Sequence, residues 1–72
     1  MNSSVDARGL SCPQPVLMAL GEMKKVKKGE IVVLVDTDTS KENVIRAATG
    51  EGWDVRSIDV EGETYSITIA KG

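Results

Sequence analysis

Apolar residues recur along this chain in two rhythms. Val5 and Ala7 alternate with polar neighbours, Val16, Leu17, Leu20 and Met23 follow at spacings of three and four, Ile31 to Val35 is an unbroken run, and Tyr65, Ile67 and Ile69 alternate again. Alternation marks a strand with one buried face, and the three-four spacing marks an amphipathic helix. The pattern predicts a short strand over Ser3–Ala7, a helix over Pro13–Lys25 with Val16, Leu17, Leu20 and Met23 inward, and a central strand over Glu30–Val35. Thr39-x-x-Glu42 has the spacing of a capping box, so a second helix starts at Thr39 or Ser40. Its stripe is Val44, Ile45, Ala47 and Ala48, and it stops near Gly50 or Gly52, where glycine suits a C-terminal cap. Trp53 then opens a third strand as a core residue. Trp53 and Val55 share one parity and Ile58 and Val60 the other, which calls for a bulge near Arg56-Ser57 or for a strand covered on both sides. Glu61-Gly62 separates this strand from the last one as a hairpin turn.

The order β-α-β-α-β-β predicts an α+β two-layer sandwich, a four-stranded mixed sheet with two helices on one face. Right-handed crossovers place both helices on the same side and leave the other face to solvent or a partner. Seventy-two residues suffice for a single domain, residues 1–72, that buries about 60% of its unfolded surface.

Composition narrows the function classes. Apolar residues at 40% and charged residues at 28% are ordinary for a soluble domain, the longest apolar run is far too short for a bilayer, and no signal-peptide pattern opens the chain. A cytoplasmic location without membrane contact is the expectation. A net charge of −2 gives no long-range attraction to nucleic acid, so direct nucleic-acid binding is not expected. The chain has one cysteine and no histidine, which argues against an internal disulfide and against zinc, and no metal or cofactor is expected. Asp36 and Asp38 are too few carboxylates for a hard-cation site. They suit strand-end and capping roles, or they flank the loop after the first strand, since both junctions lie on one edge of a parallel strand pair. Lys24, Lys25, Lys27 and Lys28 complement the negative end of the first helix, a role compatible with docking an acidic partner protein.

The single cysteine, Cys12, stands with the only two prolines, Pro13 and Pro15. Proline is tolerated in the first turn of a helix, where amide hydrogens lack intrahelical partners, so Cys12 falls at the N-cap or next to it. There its side chain meets the free amides of Gln14 and Val16, and the helix start together with the cation Arg8 favours a thiolate of depressed pKa. The alternative is a cysteine that is simply a small buried hydrophobe. The absence of histidine weakens mechanisms built on a Cys-His pair, a lone cysteine cannot resolve its own disulfide, and no phosphate loop or dinucleotide fingerprint is present. What remains is a thiolate that exchanges something with another protein.

Asp6-x-Arg8-Gly9-Leu10-x-Cys12-Pro13-x-Pro15 resembles the signature of the TusA/SirA-like sulfur-carrier family, and the likeness extends over nearly the whole chain. Many relatives have an Asp-Pro pair before the second helix where this chain has Thr37-Asp38. Lys41-Glu-Asn-Val44 is similar to the YedF-like branch associated with selenium metabolism. The resemblance implies a persulfide on Cys12, in a loop shaped by Asp6, Arg8, Gly9, Pro13 and Pro15. Arg8 is equally readable as a structural ion-pair partner of Asp6. The resemblance further implies a cysteine desulfurase as donor and a downstream sulfur-accepting protein serving tRNA thiolation, cofactor synthesis or sulfur and selenium metabolism. Such a protein is a sulfurtransferase-type persulfide carrier rather than a turnover enzyme, and a monomer is expected. Two other classes stay open: a small RNA-binding or regulatory module, supported only by the lysine cluster, and a thiol redox sensor.

Overall fold

The computed structural model describes residues 2–9 and 14–72, residue 2 by its backbone alone. Six elements follow one another: β1 (Asn2–Asp6), α1 (Gln14–Val26), β2 (Gly29–Val35), α2 (Asp38–Gly50), β3 (Asp54–Glu61) and β4 (Thr64–Lys71). The strands form one sheet in the order β1-β2-β4-β3, with β1 parallel to β2 and the two other pairings antiparallel. The aliphatic run of β2 therefore has a neighbour on each side, the interior position its composition predicts.

Register explains which side chains form the core. Val5, Val33, Ile67 and Ile58 lie opposite one another across the four strands, as do Ser3, Ile31, Ile69 and Val55. These rows face the helices. Val5, Ile31, Val33, Val35, Ile67 and Ile69 are buried beneath them with Ala19 and Met23 of α1 and Val44 and Ala48 of α2. Coverage thins toward the edge strand β3, where Ile58 is 42% and Val60 60% exposed. The two apolar pairs of β3 differ in parity because the register slips between Val55 and Ser57. One extra residue there brings Val55, Ile58 and Val60 onto the same face, the bulge that the sequence pattern offered as one of two solutions.

Helix boundaries differ from expectation in two informative places. Thr37, extended at φ −136° and ψ 151°, accepts the Ser40 amide on its hydroxyl at 3.1 Å, so α2 is capped at Thr37 and not at Thr39 or Ser40. Thr39 already lies in the first turn, where its hydroxyl no longer faces the free amides. Leu17, placed inward by its spacing, is 60% exposed. Five apolar residues in succession, Val16 to Leu20, exceed what one helical stripe can hold, and the inward places go to Pro15, Ala19 and Met23, with Val16 and Leu20 half-buried.

Both helices end on left-handed residues. Gly52, at φ +84°, closes α2: its amide reaches the Thr49 carbonyl at 3.1 Å and the Trp53 amide reaches Ala48 at 2.9 Å. This is the Schellman arrangement, and it sets the buried Trp53 onto buried Ala48 as β3 begins. At the end of α1 the left-handed residue is Lys27, φ 70°, whose amide donates to the Met23 carbonyl at 2.9 Å. The β3–β4 turn is the two-residue Gly62-Glu63, with Gly62 at φ +60° in the first central position, where a type II′ hairpin needs glycine.

Candidate functional site

Because β1 and β2 are parallel, their C-terminal ends open at one pole, the same pole where α1 and α2 begin. Open α/β edges of this kind are where such folds place ligands and reactive groups. The Ala7 amide donates to the Leu34 carbonyl at 2.8 Å, carrying the parallel ladder one residue beyond β1. The chain then turns at Arg8 and Gly9. Gly9 adopts φ +78°, a conformation that L side chains avoid, and its amide donates to Asp36 Oδ2 at 2.8 Å. A Cβ at this position would meet nothing within 4 Å, so the requirement for glycine is one of backbone conformation rather than room. Asp36 thus ties the first half of the cysteine loop to the β2–α2 junction, the flanking role that the sequence allowed for this acid.

Asp6 points to the uncovered face of the sheet beside Leu34 and holds the Arg8 guanidinium with two contacts, Nε to Oδ1 at 2.9 Å and Nη2 to Oδ2 at 2.8 Å. The Arg8 amide adds a third at 3.2 Å. These hydrogen bonds, with the arginine charge behind them, lower the Asp6 carboxyl from 3.8 to about 2, and the same contact raises the pKa of Arg8. The pair is exposed, its side chains 49% and 56% accessible, and its charges largely cancel at a distance. Arg8 also lines a cavity of about 220 Å³ with Leu34, Glu61, Thr64 and Ser66. The hairpin residues of that cavity had no sequence signal, since they share it with Arg8 only because β4 lies next to β2.

Leu10 to Pro13, and with them the candidate residues Cys12 and Pro13, lie outside the described residues. On the far side of that segment Pro15 is buried in the first turn of α1, and Gln14 is exposed. The first turn of α1 holds no acidic residue, so its positive pole is not neutralised from within. Asp38, at the start of α2, accepts the Tyr65 hydroxyl at 2.6 Å and lies 3.8 Å from Lys41 Nζ, which stands 5.0 Å over the Tyr65 ring. Asp38 raises the pKa of the Tyr65 phenol by accepting its hydrogen.

Among the described residues no cluster of three or more metal-ligating side chains occurs, and no helix is long and apolar enough to cross a membrane. A larger concavity of about 700 Å³ runs along α2 past Lys41, Ile45, Arg46 and Thr49, with no nucleophilic thiol or paired carboxylates on it.

The family model described as sulfurtransferase TusA matches residues 3–71. YedF of Escherichia coli strain K12, whose name describes a candidate sulfur carrier, is 35% identical over 68 residues, covering 93% of this chain and 88% of that protein. YrkF of Bacillus subtilis, named in the same way, is 32% identical over 69 residues, 94% of this chain. The chain spans 37% of the length of YrkF and 26% of the length of a Methanocaldococcus jannaschii protein that it matches at 26% identity over 72 residues. The crystal structure of a SirA-like protein from Desulfitobacterium hafniense superposes with a TM-score of 0.88 at 30% identity and covers 97% of each chain.

Proposed function

The chain belongs to the TusA sulfurtransferase family, and on that footing we propose that it is a sulfur carrier that holds its cargo as a persulfide on Cys12. The observation that carries this reading is the setting of the loop: Gly9 is latched to Asp36 on one side, and on the other α1 begins two residues after Cys12 with no acid in its first turn. A helix start of this kind favours a thiolate. The Arg8 charge is shared with Asp6, so the reading rests on the helix start rather than on Arg8.

In loading, the Cys12 thiolate attacks the outer sulfur of a donor persulfide. A new S–S bond forms at Cys12, the donor's S–S bond breaks, and the donor leaves as a thiolate, so no external oxidant or reductant is needed. In unloading, an acceptor thiolate attacks the outer sulfur of Cys12-S-SH and Cys12 leaves. A low pKa helps the second step as it helps the first, because a stabilised thiolate is the better leaving group. The donor is a cysteine desulfurase and the acceptor a protein of tRNA thiolation, cofactor synthesis or sulfur and selenium metabolism, acting in the cytoplasm. Asp6, Arg8, Gly9, Pro13 and Pro15 shape the loop and do not react.

Intact-mass measurement after incubation with a cysteine desulfurase and free cysteine tests the proposal. The expected product gains one sulfur, loses it to reductant, and does not form with Cys12→Ser. An unchanged mass, or the same gain in Cys12→Ser, overturns it.

A further inference from the structure

The outer face of α1 is not built as an ordinary solvent face. Its exposed positions are Gln14, Leu17, Met18, Gly21, Lys24 and Lys25, none of them acidic, and Lys27 and Lys28 continue it beyond the helix. Leu17 is 60% and Met18 40% exposed, both on the N-terminal half of the helix. Gly21 follows, and a Cβ there would meet nothing within 4 Å, so no intramolecular contact explains a helix-weakening residue at mid-helix. Among the described residues, none of the four lysines is in a salt bridge. Complementing the helix pole accounts for Lys24 and Lys25, which lie in the last turn. It does not account for Lys27, a non-glycine residue held at φ 70° where glycine or asparagine would sit without strain. Three departures from what the fold alone would choose therefore share one surface: exposed apolar side chains, an unforced glycine and a strained lysine.

Resting on the sulfur-carrier reading, we infer that the outer face of α1, from Leu17 to Lys28, is the docking surface for the protein that loads Cys12, and that this donor presents an apolar patch bordered by carboxylates. The lysines attract and orient the acidic border, Gly21 lets the partner backbone approach the helix closely, and Leu17 and Met18 give it apolar area to cover. A protein surface fits this face better than nucleic acid does. Leu17 and Met18 give the face an apolar end, the chain has only one tryptophan and one tyrosine and no phenylalanine to stack on bases, and its net charge is −2.

The test compares two persulfide donors: a cysteine desulfurase charged with free cysteine, and glutathione persulfide, which needs no docking surface. The variants are the triple substitution Lys24→Glu, Lys25→Glu, Lys28→Glu, the single substitution Gly21→Gln, and Lys27→Gly. At low salt the triple variant should load from the desulfurase about tenfold more slowly, and the fall in wild-type rate with added salt should flatten. Gly21→Gln should slow the same reaction while raising the unfolding midpoint, and Lys27→Gly should be more stable yet slower to load. All three should load from glutathione persulfide at the wild-type rate. Desulfurase rates unchanged in every variant overturn the inference, as does a triple variant that loses affinity for a short RNA hairpin while loading normally. Failure of both donors to modify Cys12 in the wild type overturns the carrier reading itself, and the docking surface falls with it.

Discussion

At the scale of single residues, the turn that follows β1 is organised by the left-handed backbone of Gly9 and by the Asp6–Arg8 ion pair. Asp6 is a group whose folded pKa, about 2, lies below the unfolded value of about 4. Its contribution to stability is therefore present above pH 4 and is lost as pH falls through about 2. Urea unfolding followed from pH 5 to pH 2 should show stability declining over this window, with a shallower decline in Asp6→Asn and a smaller difference between the two at high salt. Equal slopes would mean that the exposed pair contributes nothing. Much of this region was legible in the sequence: a glycine ending a strand, an acid two residues before an arginine, and two prolines marking a helix start. The partners of these residues were less so. Asp36 could be placed near the loop from the parallel strand order, but the cavity that Arg8 shares with Thr64 and Ser66 depends on a pairing between β2 and β4 that no local pattern encodes. Leu17 misled because adjacent apolar residues carry no mark of which one the helix turns outward.

At the scale of elements, caps and parity decide the outcome. The capping-box spacing pointed to Thr39 or Ser40 as the start of α2, and the structure caps the helix at Thr37 instead. Thr37→Ala should cost about 1 kcal/mol in chemical unfolding, whereas Thr39→Ala, exposed inside the first turn, should be within about 0.5 kcal/mol of wild type. The reverse order would restore the capping box as the operative signal. The bulge in β3 was readable because parity has to be conserved along a strand: Val55 and Ile58 cannot share a face unless one residue is extra. What parity could not reveal is how little of β3 the helices cover. Ser3 and Glu22, which hydrogen-bond across β1 and α1, show the same limit, since neither residue type carries a signal for the other.

At the scale of the whole molecule, a domain of 72 residues has a stability of about 4–11 kcal/mol and a single core layer to supply it. Ile67 is fully buried in the middle of that layer, between Val33 and Ile58. Ile67→Ala should cost about 2–5 kcal/mol, enough to consume much of the margin, whereas Ile58→Ala at the open edge should cost far less. Thermal unfolding of the two variants checks the contrast, and similar losses would mean that the β3 edge is covered in solution. The exposed apolar residues of that edge do not make it a ready template for another strand. The bulge distorts its outer ladder, and Arg56 and Asp59 place charges along it.

The register of the sheet also fixes where the polypeptide enters and leaves. Asn2 lies opposite Glu30, which in turn lies opposite Ala70, so Asn2 and Ala70 sit about 10 Å apart, two strands over, at the pole away from Gly9 and Asp36. Sequence appended at either end would trail from that pole and leave the pole of Gly9 and Asp36 clear. That geometry suits a module able to be spliced into longer polypeptides without obstructing the turn that follows β1.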